Sequence, residues 1–378
     1  MMYTKPNANF QSQENGLGGI SVSELSKSYG RDSNVLALKN FSLEFPEGQC
    51  TVLLGPSGCG KTTVLRSIAG LIKPDAGRII IGDSLVFDAA KGTDLPPEKR
   101  HLGMVFQSYA LWPHLTISGN VSYPLLSINL NKKEIATKTE AMLEWIGLSG
   151  MGGRYVHEIS GGQQQRVSLG RAMIGNPRAI LFDEPLSNLD ARLRERMRME
   201  LLSLRQKAPY TAIYVTHDQL EAMTLGDRVV VMREGQIEQT GSPEDIYRRP
   251  RTRFVADFVG IPNLLSGVIH SVSGTEILVN TLVGTLNSVS NRSNWSVGDS
   301  CTLAIRPTLL ELTHANLGSD HKTVKVIRSI FQGTSNLDFV DLNGTQIVVE
   351  SFSEQKLKTG ETLNLKPVSG AVFALLDD

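Results

Sequence analysis

Short apolar runs and amphipathic stretches alternate along the first two thirds of the chain. CTVLL (50–54), RIII (78–81), GMVF (103–106), AILF (179–182) and AIYVT (212–216) read as strands. Hardly interrupted by polar positions, they predict strands covered on both faces, in an α/β domain with a largely parallel sheet over 20–248. A long helical insertion at 108–178 breaks the pattern; in KKEIATKTEAMLEWIGL, Ile135, Met142, Leu143 and Ile146 fall near one helical face. Past Arg248-Arg249-Pro250 and the helix-like RTRFVADFVG, the period changes at Ile261-Pro262. SGVIHSV, SCTLAIR, TVKVIRS and TQIVVES alternate with period two, which predicts a separate small all-β domain over 262–378 with 249–261 as linker. Residues 1–19, rich in Asn, Gln, Ser and Gly, are expected to be disordered.

Composition narrows the class of protein. A chain of 378 residues exceeds one ordinary domain, and 40% hydrophobic with 20% charged residues is the balance of a soluble globular protein. Lys+Arg and Asp+Glu are equal at 38 each, so there is no basic excess to track a nucleic-acid backbone. Cys50, Cys59 and Cys301 are odd in number and far apart, which argues against a disulfide framework and a zinc site and for a reducing compartment. No stretch approaches the roughly 18–20 apolar residues of a spanning helix, and MMYTKPNANFQSQENG is too polar for a signal peptide. Any link to a membrane is expected to run through another chain.

Chemistry concentrates where strands end. CTVLL leads directly into Gly55-Pro56-Ser57-Gly58-Cys59-Gly60-Lys61-Thr62, which fits GxxxxGK[ST], and Thr63 continues into the helix TTVLRSIAGLI with Val64, Leu65, Ile68 and Ile72 inward. Strand, glycine loop and helix suit a polyphosphate: backbone amides wrap the anion, the helix N-terminus adds positive dipole, and Lys61 places a charge between β- and γ-phosphates. Thr62 is placed to ligand Mg²⁺. AILF ends in Asp183-Glu184, which suits Asp183 to Mg²⁺, directly or one shell out, and Glu184 to polarising a water.

With Ser160-Gly161-Gly162-Gln163-Gln164-Gln165-Arg166 the set resembles the ATP-binding-cassette (ABC) ATPases, whose signature usually has Leu where Ile159 stands. The resemblance covers about 20–248 and implies a P-loop ATPase fold with a helical subdomain, and ATP as nucleotide. It implies that Tyr29 stacks on adenine, that Gln107 links the metal and attacking water to a permease, and that His217 contacts the γ-phosphate. By the same resemblance, Asp190 in SNLD communicates across a homodimer; read alone, SNLD is a helix N-cap. SGGQ before an apparent helix is a second anion-binding terminus beside a single P-loop. The resemblance explains the surplus: Ser160 and Gly162 act on the nucleotide held by the other subunit.

SYALWPHLT (108–116) resembles the permease-facing region of importer ATPases, where Trp112 and Leu115 either anchor a permease helix or pack inside the helical subdomain. Gly298-Asp299 and CTLAIRP (301–307) resemble the oligobinding-type domain of importers of ferric iron, polyamines, phosphonates and sugars, although Thr308 stands where an acidic residue is common. The expectation is a peripheral ATPase on the cytoplasmic face of the inner membrane, serving permease subunits and, through them, a solute-binding protein. The alternative is a soluble ABC ATPase of DNA repair or translation, against which stand the missing coiled-coil insertion, the single motif set and the absent basic excess.

Overall fold

The computed structural model describes residues 19–30, 35–207, 209–274, 276–289, 294–314, 322–353, 356–370 and 373–376. The segment 1–18, expected to be disordered, lies outside them. The chain divides into two compact units, Met1–Pro243 and Glu244–Asp378.

The first unit opens with β1 (Ile20–Tyr29), β2 (Val35–Phe45), β3 (Cys50–Leu54) and α1 (Lys61–Ala69), followed by β4 (Ala76–Ile81), β5 (Ser84–Asp88), β6 (Thr93–Asp94) and β7 (Leu102–Val105). Helices α2 (Ile117–Ser122), α3 (Lys132–Trp145) and α4 (Gly161–Met173) come next. The unit ends with β8 (Ala179–Asp183), α5 (Ala191–Lys207), β9 (Ala212–Thr216), α6 (Gln219–Leu225), β10 (Arg228–Arg233) and β11 (Gln236–Gly241).

The parallel sheet has the order β11-β10-β3-β9-β8-β7, with β11 alone antiparallel. Every residue of β3, β8 and β9 is buried, as strands covered on both faces require. RIII departs from expectation. As β4 it lies in a second, antiparallel sheet, β2-β1-β4-β5-β6, where Ile79 and Ile81 are buried and Ile80 only partly so. Three consecutive isoleucines mask that alternation in the sequence.

Between the sheets Val64, Leu65 and Ile68 of α1 join one core with Ile20, Val22, Ile79 and Ile81 on one side and Leu53, Leu181, Ile213 and Val215 on the other. Each such side chain contributes about 1.5–3 kcal/mol on burial. The helix stops at Ala69 rather than running on to Ile72. Gly70, at φ 80°, turns its N–H back to the carbonyls of Arg66 and Ser67, leaving Leu71 exposed.

Helices α2, α3 and α4 enclose a core of their own, in which Met142, Leu143 and Ile146 are buried and Ile135 packs partly exposed. Gly103 ties this subdomain to the sheet. A side-chain carbon there would stand 2.3 Å from the Ala172 carbonyl oxygen on α4. Gly103→Ala is therefore expected to cost roughly 1–3 kcal/mol by overpacking and to lower Tm by about 3–10 °C in a thermal melt. An unchanged Tm would show that the β7–α4 contact gives way freely.

The second unit starts within α7 (Pro243–Arg248), followed by α8 (Arg253–Phe258), which Thr252 caps. Strands β12 (Asn263–Ser273), β13 (Glu276–Thr281), β14 (Gly284–Val289), β15 (Ser300–Ile305) and β21 (Phe373–Leu375) close a five-stranded barrel, the oligobinding-like element. Strands β16 (Leu310–Thr313), β17 (Lys322–Phe331), β18 (Asn336–Leu342), β19 (Thr345–Ser351) and β20 (Thr362–Pro367) form a further sheet. Both share one core, in which Ile269, Val279 and Leu303 meet Val326, Val340 and Leu365.

Candidate nucleotide-binding site

The fully buried β3 delivers the chain into the glycine loop. Gly55, Cys59, Gly60 and Lys61 are buried, while Pro56, Ser57 and Gly58 form an exposed crest and Thr62 and Thr63 are half-buried. Only glycine suits position 60: its φ is 106°, and a side-chain carbon would lie 2.6 Å from the Ala37 carbonyl oxygen. The first turn of α1 carries no acidic residue to compete with an anion. Lys61, 4% exposed, donates through Nζ to the carbonyls of Gly55 at 2.7 Å and Pro56 at 2.9 Å. Its ammonium stands 3.8 Å from Cys59 Sγ, yet burial outweighs that charge and pushes the Cys59 thiol up.

Asp183 ends β8 almost fully buried. Thr62 Oγ1 donates to its Oδ1 at 3.2 Å, and Arg66 donates to its Oδ2 through Nε at 3.2 Å and Nη2 at 3.0 Å. One carboxylate thus faces one hydroxyl at the loop end of α1. The next residue, Glu184, has φ 46°, a left-handed conformation that costs a non-glycine residue about 1–3 kcal/mol. Its N–H holds the Val215 carbonyl at 3.1 Å and its carbonyl accepts from Ser187 Oγ at 2.9 Å, which keeps the bend in place. The strained turn aims the side chain at His217, whose Nδ1 is 3.2 Å from Glu184 Oε2.

The remaining residues singled out in the sequence sit as follows. Gln107 is exposed just past β7, and its carbonyl accepts from Asn188 Nδ2 at 3.0 Å. Asp190 is the cap expected of SNLD taken alone, with Oδ1 accepting from Leu193 N at 2.9 Å. Ser160 caps α4 in a reciprocal box: its Oγ accepts from Gln163 N at 3.4 Å and its N–H donates to Gln163 Oε1 at 2.9 Å. Gly161 and Gly162 keep that terminus low against Leu189 and Met197. The hydrogen bonds of Ser160 and Gln163 stay within the helical subdomain, none reaching the P-loop. Tyr29 ends β1 with 41% of its surface exposed, and the Lys27 ammonium stands 5.7 Å from its ring centroid.

Trp112 packs within the helical subdomain, the second of the two readings offered for it. Asn120 bonds its backbone on both sides, at 2.8 and 3.0 Å, and its ring lies 4.0 Å from Tyr123 and 4.7 Å from the Arg171 guanidinium. Yet it also lines an open cavity of about 480 Å³, together with Met104, Phe106, Pro124 and Arg171. Leu115 is half-buried.

Three residues that bond segments of the site went unread in the sequence: Arg66, Asn188 and Arg194. Arg66 had a signal, since it lies four residues after Thr62 and so shares its helical face. Arg194 bonds the carbonyls of Leu186 and Leu189 at 3.3 and 3.0 Å, and is one of five arginines on α5 with nothing local to distinguish it.

The ABC transporter family model matches residues 38–187. A Fe(3+) ions import ATP-binding protein of Rhizobium etli is 41% identical over 349 residues, 92% of this chain and 95% of the relative. A trehalose/maltose import ATP-binding protein of Thermococcus litoralis is 48% identical over 255 residues, 67% of this chain and 68% of the relative. A dimeric ATP-binding cassette, solved in a post-hydrolysis state bound to ADP and phosphate, aligns with TM-score 0.51 at 30% identity over 59% of this chain and 98% of that one. Nothing in these matches supports a role in DNA repair. Motifs, fold and relatives agree: the chain belongs to the ABC transporter family, as an ATP-hydrolysing subunit of the import type.

Proposed function

We propose that two copies of this chain hold two Mg²⁺·ATP between them and power uptake of ferric iron through a membrane permease, at the cytoplasmic face of the inner membrane. The observation that carries the site assignment is positional. Lys61 and Thr62, Asp183 with Glu184, and His217 lie at or just past the C-terminal ends of β3, β8 and β9, which are neighbours in one parallel sheet.

Lys61 exchanges the Gly55 and Pro56 carbonyls for the β- and γ-phosphates, while the backbone N–H groups from Ser57 to Thr63 wrap them and Tyr29 stacks on the adenine. Thr62 and Asp183 would hold Mg²⁺, with Gln107, just past β7, as a further ligand. One carboxylate and one hydroxyl would leave positions for phosphate and water, as Mg²⁺ prefers. Bound there, the ion would neutralise charge on the phosphate oxygens. Glu184 takes the proton of the attacking water, and His217, whose Nδ1 lies 3.2 Å from Glu184 Oε2, contacts the γ-phosphate. The Ser160 hydroxyl only accepts in its cap, so its proton remains for a phosphate oxygen of the nucleotide on the other copy, beside Gly161, Gly162 and Gln163. Asp190 lies at the same subunit boundary. The cavity beside Trp112 receives a permease helix, and a solute-binding protein delivers the cargo from the far side.

Iron is favoured over sugar because the iron-importing relative matches over 92% of the chain, the β unit included, against 67% for the sugar-importing one. The test is uptake of labelled ferric iron, a disaccharide and glycerol 3-phosphate in cells whose only copy carries Glu184→Gln. Loss of iron uptake alone is the expected result; loss of another cargo reassigns the substrate.

A further inference from the structure

Glu221 is the one acidic side chain of α6, and it is 3% exposed. Burying a carboxyl is costly unless its oxygens are bonded, so the bonds it makes are informative. Its Oε2 accepts from Tyr214 OH at 3.0 Å and from Thr216 Oγ1 at 2.8 Å, both on β9 and both buried. Burial pushes the Glu221 carboxyl up, and the two hydroxyl donors oppose this.

Those bonds lead to His217. Because the Thr216 proton is committed to Glu221, the same hydroxyl can accept, and it takes the Asp218 N–H at 2.9 Å. The peptide on either side of His217 is thereby pinned. Asp218 Oδ1 in turn accepts from Leu220 N at 2.8 Å and from Glu221 N at 3.1 Å, so residues 216–221 close a ring of hydrogen bonds. A second tie runs to the turn that carries Glu184. Arg194 stands 3.7 Å from Asp218 Oδ2 while bonding the carbonyls of Leu186 and Leu189.

We infer that Glu221 is a positioning residue for ATP hydrolysis: through Thr216 it fixes the turn that presents His217 to Glu184 and the γ-phosphate. The inference rests on the role proposed above for His217. It requires that removing the carboxyl lower kcat without weakening ATP binding, and that the loss act only through His217.

A double-mutant cycle in the full-length protein, with ATP and Mg²⁺, separates this from a merely structural part. Glu221→Ala is expected to lower kcat at least tenfold with the Kd of a fluorescent ATP analogue within about threefold. Glu221→Gln, whose carbonyl still accepts both hydroxyls, restores kcat to within about threefold of wild type. In a His217→Ala background Glu221→Ala costs less than about twofold in single-turnover hydrolysis. If Glu221→Ala does not fold, Thr216→Val removes the shared hydroxyl and is expected to be non-additive with His217→Ala in the same way. An additive loss, or a fall in ATP affinity that matches the fall in kcat, overturns the inference and leaves the role of His217 standing. Full turnover by His217→Ala overturns both.

Discussion

Glu184→Gln is expected to cut ATP turnover more than a hundredfold while leaving ATP affinity within about threefold of wild type. Removing a general base costs typically 10²–10⁴ in rate, and the amide cannot take the proton of water. Size and charge arguments separate binding from chemistry. Glutamine has nearly the shape of glutamate, so the left-handed turn at φ 46°, bonded through Val215 and Ser187, remains, and so does the reach of the side chain to His217 at 3.2 Å. Loss of the charge leaves Lys61 and Asp183, which carry binding, untouched. With hydrolysis blocked, the ATP-bound dimer accumulates, and light scattering in ATP and Mg²⁺ should read twice the 41.3 kDa monomer mass. Turnover at the wild-type rate would move the base away from Glu184, and slow turnover by a species that stays monomeric would remove the dimer from the mechanism.

How much of this was legible in the sequence depended on how local each feature is. The P-loop is contiguous, so spacing alone fixed the strand, loop and helix around Gly55–Thr63. The helix start at Ser160 and the strand end at Asp183 were readable for the same reason. What failed to show involves partners far apart in the chain. Arg66 and Asp183 are separated by 117 positions, and no local pattern pairs them. Glu221 sat in an ordinary helix start, where glutamate is most often solvated, so its burial beneath β9 contradicts the prior for its type. The end of α1 was overrun because Leu71 and Ile72 extend the apolar run past Gly70, whose left-handed conformation ends the helix regardless. RIII was misplaced because a purely apolar run hides the alternation that separates a half-covered strand from one buried on both faces.

Lys61→Met is expected to abolish ATP-dependent stabilisation while changing the Tm of the nucleotide-free protein by no more than about 2 °C. Two opposing terms set the second part. Burying an ammonium is costly even with the Gly55 and Pro56 carbonyls at 2.7 and 2.9 Å, and methionine, of similar length, removes that cost. Against it, the Gly55 carbonyl loses a donor, worth about 1–3 kcal/mol if buried, while the exposed Pro56 turns to water. The terms nearly offset each other. Nucleotide binding has no such compensation, because the loop amides carry partial charges and Lys61 is the full positive charge within the loop. At ATP a hundredfold above its Kd, wild-type protein gains ~2.7 kcal/mol, an upward shift of about 5–10 °C. A hundredfold loss of affinity reduces that to ~0.4 kcal/mol, near the limit of a melt. Scanning fluorimetry with and without ATP and Mg²⁺ reads both parts together. A wild-type ATP shift in the variant would mean that the loop amides alone hold the phosphates, and a large fall in nucleotide-free Tm would mean that the lysine is a structural brace of the loop.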